Sequence, residues 1–546
     1  MAHDERALSA RRSVSRPVVM LAAVLGAALV WISTPGGVST SPDAWNYFAA
    51  ARNLLAGEGF TRYTGEPFVL WPPLFPLLIA ALLSLGDLAG QTLHLLDALR
   101  LVNVITFAAT TVIAAALLRR LLRSPWLAAL ATLAVALGYP LVYVASFAWS
   151  EPLFVLLCLG CLVMLDRARQ TPALRPVMVA AVLGALASLQ RYTGAVLIGV
   201  GIVWLLLDAT ASLRARVRRV FVFAVVAAGP LALWLLYNQA RAGTFTGERA
   251  PSTRPLHANV RAVYDLTLTW LTPKAPGLDW QIASLIAAGA LGGALIALIV
   301  RRRRKTLTAL GEYRWLPLAL FVAGYAGFVV ISASRVQFDP IDERLLAPLY
   351  PAAIGLAFVA FDRLLAWLAA RTGRRAFMRL GVAVATLWLL HPLARLDDNL
   401  ATLQDISRAS QITYETWRRS DLMRTVRAHP PIGPVLTNAP LHLLVHTGVP
   451  VRAVPETLDG WKTLLMQSGG DPLTVVWFEP ISRCDWGRRH CVTTDYTVET
   501  LAAQYTLRPV IVTYDGGIYT VGHANEHVTG PAPRGAAPIL VAAPGE

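Results

Sequence analysis

The feature that most constrains this chain is a succession of apolar runs of about twenty residues, separated by short loops rich in arginine. A run of that length, wound as a helix, spans the hydrocarbon of a bilayer. Of 546 residues, 55% are hydrophobic and only 15% charged, far from the averages of water-soluble domains. A polytopic α-helical membrane protein satisfies both observations. The formal charge of +16 is not a nucleic-acid footprint. From Asp397 to Glu546 there are 12 Lys and Arg against 15 Asp and Glu, so the basic excess lies wholly in the membrane half. That is the positive-inside pattern, and no nucleic-acid partner is expected.

The basic loops set the topology. They are Arg119-Arg120-Arg123, Arg167-Arg169-Arg175, Arg214-Arg216-Arg218-Arg219, Arg301 to Lys305, and Arg371-Arg374-Arg375-Arg379. If all are cytoplasmic, spans pair up between them. Arg6, Arg11, Arg12 and Arg16 precede the first run, Pro17 to Ile32, which has no clear small-x-small cleavage site and reads as an uncleaved anchor. Further spans fall near 99–119, 125–145, 152–166, 176–190, 192–208, 219–238, 280–300, 315–333, 345–365 and 380–396. The count is about eleven, with the N-terminus inside and the C-terminus outside.

The 1–396 region is thus expected to be a transmembrane domain with two larger external loops, 34–97 and 239–279. Leu74 to Leu88, too short to cross comfortably, reads as a re-entrant or surface helix in the first loop. The second contains YNQARAGTFTGERAPSTRP, whose Gly, Thr, Ser and Pro content indicates a loop. Residues 397–525 switch composition and read as a small external α/β domain. There PVLTN, APLHLLVHTG and VRAVP suggest strand, helix, strand, and VIVTYDGGIYTVG a hairpin about an Asp-Gly turn. The Pro-, Gly- and Ala-rich 526–546 tail is expected to be disordered. Cys158 and Cys161 lie in an apolar run and read as packing residues. Cys484 and Cys491, seven apart, can bridge in an oxidising compartment, although spacing alone does not establish the geometry.

The chemistry is expected in the stretch from Ser41 to Leu78. Asp43 sits just after the first span and leads a short helix, which Gly57 and Gly59 stop before the doubled Pro72-Pro73 opens the next. Glu151 in WSEPLF, and Asp339, Asp342 and Glu343 before LLAPLYP, fall on the same predicted face. Acids converging there suggest a polar cavity. Arg191 in LQRYTG and Arg344 in DERLLAPLYP come from the same side and could pair with these acids or meet a phosphate. Tyr47, Arg62, Trp71, Tyr192 and Glu343 are the accompanying candidates for substrate or acceptor contact.

Each has a plainer explanation. Asp43 after Pro42 suits a helix N-cap, and Glu151 before Pro152 suits a helix dipole. Arg191 could snorkel, while Tyr63 and Trp71 could belong to an interface belt. His442 and His446, at i,i+4 on an expected helix, could form a zinc face, but no further ligand accompanies them.

Together these residues resemble the polytopic glycosyltransferases of the GT-C superfamily, in particular the bacterial branch of lipid A aminoarabinose transferases and protein O-mannosyltransferases. The likeness covers roughly residues 15–360. It is carried by Asp43 followed by Tyr47, Ala51, Leu55 and Gly57, by the PPLFP segment, by SEPL at Ser150–Leu153, and by ERLLAPLYP at Glu343–Pro351. The resemblance implies transfer of a sugar, with inversion, from a polyprenyl-phosphate donor to an acceptor on the extracytoplasmic side. It implies Asp43 as general base, Arg191 and Arg344 on the leaving phosphate, and Glu151 orienting acceptor or base. A bacterial inner or plasma membrane suits the Ala- and Arg-rich composition. The chain departs from many relatives in having Ala44 after Asp43 where they have Glu. A metal or acceptor role for that Glu is therefore not carried over, and a divalent cation is left open.

Two other classes compete. A transporter or flippase would place its charges near the midplane, often on broken helices with internal repeats. Here the acids gather at one face and no clear repeat is visible. A non-catalytic scaffold presenting the C-terminal domain is the third reading.

Overall fold

The computed structural model describes residues 2–88, 94–272, 314–337, 339–373, 376–433, 435–468, 471–479, 494, 496–522 and 539–540. In chain order the first helices are α1 (Ala2–Ser33), α2 (Pro42–Leu55), α3 (Leu74–Leu88), α4 (Leu95–Leu121), α5 (Pro125–Ala136), α6 (Tyr139–Ala145) and α7 (Glu151–Ala168). Then follow α8 (Arg175–Gln190), α9 (Ala195–Leu206), α10 (Leu213–Ala242), α11 (Leu256–Leu271), α12 (Leu316–Arg335), α13 (Glu343–Leu346) and α14 (Tyr350–Thr372). The last are α15 (Ala376–Trp388), α16 (Leu390–Arg419), α17 (Asp421–Ala428), α18 (Pro440–Thr447), α19 (Leu458–Gln467) and α20 (Val498–Gln504). Local chemistry sets many of their ends. Ser41, Ser124, Ser212, Ser420 and Thr497 each accept an N–H of the first turn they precede. Gly243, Gly373 and Gly448 close α10, α14 and α18 in the left-handed conformation.

The chain divides into two compact units. One comprises Met1–Val38, Val69–Leu74 and Leu96–Ser407, the other Ser39–Phe68, Phe75–Leu95 and Arg408–Glu546. Most of the 34–97 segment thus clusters with the C-terminal region. No helix ends at the 396/397 boundary drawn from composition, because α16 runs through it to Arg419.

Six helical stretches among the described residues, the last of them Ala376–Arg419, are long and apolar enough to cross a membrane, or seven if α5 and α6 form one broken span. The chain is a multi-pass membrane protein. The expected count of about eleven is not reached among the described residues. Of the shorter expected spans, α8 and α9 have 16 and 12 residues, and α7 carries Glu151, Asp166 and Arg167 at its ends. The 280–300 span lies outside the described residues.

The α5–α6 break, bent by 41°, has a local cause. Pro140 opens α6, and a Cβ on Gly138 would lie 2.2 Å from the Tyr350 ring. Tyr350 fills that space and donates its hydroxyl to the Ala134 carbonyl at 3.0 Å. The 239–279 segment is less loop-like than its composition suggests. It contains the 16-residue α11. Before that helix, Ser252 Oγ bonds the Ala333 carbonyl at 2.6 Å, and Ala250 accepts the Gln337 N–H at 2.7 Å.

The basic loops fold onto buried acids that the sequence did not single out. Asp166 receives Arg120 at 2.7 Å and Arg314 at 3.2 Å, Asp208 receives Arg219 at 3.1 Å, and Asp362 accepts the Arg123 N–H at 2.8 Å. Cys158 and Cys161 are buried free thiols, and Cys161 bonds the Ala180 carbonyl at 3.3 Å. Cys484 and Cys491 lie outside the described residues.

The second unit holds a six-stranded sheet made of β1 (Val435–Thr437), β2 (Val451–Ala453), β3 (Leu473–Phe478), β4 (Thr506–Thr513), β5 (Gly516–Gly522) and β6 (Ile539–Leu540). Its order is β2-β1-β3-β5-β4-β6. Strand β1 runs parallel to β2 and β3, while β5 is antiparallel to β3 and β4. The ladder shifts register between Pro509 and Ile511, where proline has no N–H to give. Asp515, in the β4–β5 turn, also accepts the first N–H groups of α17, from Asp421 at 3.1 Å and Leu422 at 2.9 Å. Of the 526–546 tail, only Ile539–Leu540 are described, paired with β4. Helix α2 packs on α18 in this unit. Trp45 meets His442 edge-on with ring centroids 5.0 Å apart, and Arg52 donates to the Val445 carbonyl at 3.2 Å.

Candidate functional site

In the first unit the site grows from three chain segments. Trp149, Ser150 and Glu151 turn the chain into α7, with Pro152 in its first turn. Helix α8 ends at Gln190, and Arg191 follows in extended conformation before a 3₁₀ turn over Tyr192–Gly194. Gly194 is required there, since a Cβ would lie 2.5 Å from the Ala187 backbone. Helix α13 presents Arg344 and is capped by Asp342, which accepts the Leu345 N–H at 3.0 Å.

These segments bring Glu151, Arg191 and Arg344 together. Glu151 is wholly buried. Its Oε1 lies 2.5 Å from Arg191 Nη1 and 2.7 Å from Arg344 Nε. Ser150 donates its hydroxyl to Oε2 at 3.3 Å and accepts from Arg191 at 3.1 Å. Arg344 also stacks over the Trp149 ring at 4.1 Å. The Glu151 carboxylate meets two guanidinium groups, and the Asp342 carboxylate lies within electrostatic reach of Arg344 and Glu151. A buried carboxylate is tolerable because its partners supply charged hydrogen bonds.

The other candidates are placed differently. Glu343 is bound by Arg395 and by Trp270 Nε1, the latter at 2.9 Å. Tyr192 donates its hydroxyl to the Val69 carbonyl at 2.8 Å and accepts from Trp234 Nε1 and Asn238 Nδ2, each at 3.1 Å. These bonds tie the expected substrate contact Tyr192 to the Val69–Leu74 segment. Trp71, in that segment, is half-buried.

Asp43, Tyr47 and Arg62 belong to the second unit. The N-cap of α2 is Ser41, whose hydroxyl accepts the Ala44 N–H at 3.3 Å. Asp43 is therefore relieved of the capping role and lies half-buried in the first turn. Tyr47 is buried, with the rings of Phe68 and Phe75 at centroid distances of 6.3 and 5.1 Å. Arg62 pairs with Glu66 at 2.7 Å and bonds Asn46 Oδ1 at 3.3 Å.

Neither a protein-family model nor a curated protein matches the sequence. Among solved structures the chain is similar to ArnT from Cupriavidus metallidurans bound to undecaprenyl phosphate. Identity is 16%, with a TM-score of 0.56 over 92% of this chain and 97% of that one. It is also similar to the arabinofuranosyltransferase AftD from mycobacteria, at 18% identity and a TM-score of 0.54 over 94% of this chain and 40% of that one. The chain has a GT-C-like fold.

Within the GT-C-like fold, sequence reasoning missed Trp149, Ser150, Trp270 and Arg395. The first two adjoin Glu151 in WSEPLF, so the motif itself was the signal. Trp270 and Arg395 had none, because their partner Glu343 is 73 and 52 residues away. His442 and His446 stack nearly parallel with centroids 6.4 Å apart, and His442 lies flat on Trp417 at 4.2 Å. Among the described residues no group of three His, Cys, Asp or Glu is placed to hold a metal ion. The divalent cation left open by the sequence finds no protein ligand set among those residues.

Proposed function

We propose that this protein is an integral-membrane inverting glycosyltransferase that moves a sugar from a polyprenyl-phosphate donor to an acceptor hydroxyl outside the cytoplasm. The observation that carries the reading is the convergence of Arg191 and Arg344 on Glu151, in a GT-C-like fold. As the bond from the anomeric carbon to the phosphate oxygen breaks, its electron pair leaves on the phosphate, which gains a negative charge. Two guanidinium groups at fixed positions stabilise that charge with little reorganisation. Glu151 holds them in place beforehand and offsets part of their mutual repulsion.

Asp43 takes the acceptor proton as the oxygen attacks the opposite face of the sugar, which inverts the anomeric centre. A carboxylate suits this role because an unassisted hydroxyl is a poor nucleophile. The polyprenyl chain lies among the apolar helices. The positive-inside loops, with the first span entering from the cytoplasm, support an extracytoplasmic site and C-terminal region in a bacterial inner or plasma membrane. The acceptor is an envelope glycan, lipid or protein.

The test is transfer of radiolabelled sugar from polyprenyl-phosphate donors by the protein in reconstituted membranes. Asp43→Asn is expected to lower transfer by about 10²–10⁴-fold while leaving donor binding, and Arg344→Gln to weaken donor binding as well. Wild-type transfer by Asp43→Asn would remove the base assignment. A cytoplasmic location for Asp43, mapped by cysteine labelling, would overturn the whole scheme.

A further inference from the structure

In the second unit, α16 ends at Arg418-Arg419 and α17 begins at Asp421, with only Ser420 between them. Ser420 caps α17 by accepting the Met423 N–H at 3.1 Å. The next helix carries Arg424 and Arg427 three residues apart, hence on one face. The elbow so formed surrounds a cleft of about 400 Å³ lined by Arg418, Arg419, Arg424 and Arg427.

Four guanidinium groups around one cleft repel each other, so their compensation matters. Glu415 lies 3.1 Å from Arg418 and 3.3 Å from Arg419, and Asp421 pairs with Arg424. These i,i+3 and i,i+4 pairs on an accessible surface contribute little. Two acids face four bases. Arg427 is held by the chain instead, donating Nε and Nη2 to the His446 carbonyl at 3.3 and 3.0 Å. Burial lowers its pKa and the neighbouring charge of Arg418 lowers it further. The same field reaches His446, whose basicity is depressed by burial and then by His442, Arg427, Arg52 and Arg418. Capping of the α18 C-terminus accounts for Arg427 and Arg52, which bond the His446 and Val445 carbonyls. It does not account for Arg418, Arg419 and Arg424.

We propose that this elbow is a binding site for a phosphate-bearing anion, independent of the proposed sugar transfer. Guanidinium forks match phosphate oxygens in pairs, which the compact ammonium of lysine does not. The cleft has the volume of a small-molecule pocket. It therefore suits a diphosphate, a phosphorylated sugar or a phospholipid headgroup better than a lone phosphate ion.

The experiment is calorimetric titration of pyrophosphate into the full-length protein in phosphatidylcholine nanodiscs, comparing wild type with Arg419→Gln/Arg424→Gln. The α18 carbonyl bonds described are made by Arg427 and Arg52, which the variant keeps, and an unchanged melting temperature without ligand confirms that the variant folds. A binding component weakened about tenfold or more in the variant, and by added salt, is expected. Repeating the titration in phosphatidylglycerol nanodiscs separates the sources. Competition assigns a lipid headgroup, and unchanged binding assigns a soluble phosphate; both uphold the site. Equal pyrophosphate binding by wild type and the folded variant overturns it.

Discussion

Arg191 Nη1 lies 2.5 Å from Oε1 of Glu151, a carboxylate with no exposed surface. Arg344 reaches the same oxygen, so removing the carboxylate leaves two guanidinium groups facing each other in a poorly hydrated place. Glu151→Leu is expected to destabilise the protein by about 3–5 kcal/mol, because it strands buried charge. Thermal unfolding in detergent micelles measures this. An unchanged melting temperature would mean that the arginines find other partners at no cost.

Ser41 and Asp43 separate capping from chemistry. Ser41→Ala deletes the hydroxyl that caps α2 and should cost about 1 kcal/mol of stability while transfer continues. Asp43→Asn should leave the melting temperature near that of wild type and lower transfer by about 10²–10⁴-fold. If the two variants exchange these behaviours, Asp43 is a structural residue.

Tyr192→Phe removes one hydroxyl but leaves the Val69 carbonyl, Trp234 Nε1 and Asn238 Nδ2 without it. The expected loss is about 1–3 kcal/mol. Faster proteolysis or labelling near Trp71 should accompany it, since the phenol ties down that segment. A variant whose only defect is a raised donor KM would make Tyr192 a substrate contact and not a structural post.

His446 gives the second unit a pH dependence. It is buried against Trp45, Tyr414 and His442, and Arg52, Arg418 and Arg427 disfavour its protonation. Its folded pKa lies well below the ordinary value, so the unfolded chain binds the proton first. The stabilisation is present above about pH 6.5 and is lost as pH falls below it. Chemical denaturation between pH 7.5 and 5.5 should show this slope, and His446→Gln should flatten it. A wild-type stability that is level across that range contradicts the assignment.

Periodic and short-range signals were legible in the sequence. Apolar runs marked α4, α10, α12 and α14, and PVLTN, APLHLLVHTG and VRAVP marked the strand, helix and strand of β1, α18 and β2. Tyr514-Asp515-Gly516 announced its hairpin because few sequences tolerate so tight a turn. The SEPL and ERLLAPLYP motifs pointed to Glu151 and Arg344 before any contact was known.

Tertiary structure alone decided which charges meet. The spacing of Glu343 from Arg344 says nothing of why one carboxylate goes to Arg395 and Trp270 while its neighbour's guanidinium goes to Glu151. Nor does the sequence around Asp43 reveal that α2 packs against α18, nearly 400 residues later. Helix periodicity, caps and turns depend on residues within a few positions of each other, so the chain states them directly. Ion-pair partners and buried hydroxyl networks depend on how helices pack, and that is settled only by the total burial and polar satisfaction of the folded chain.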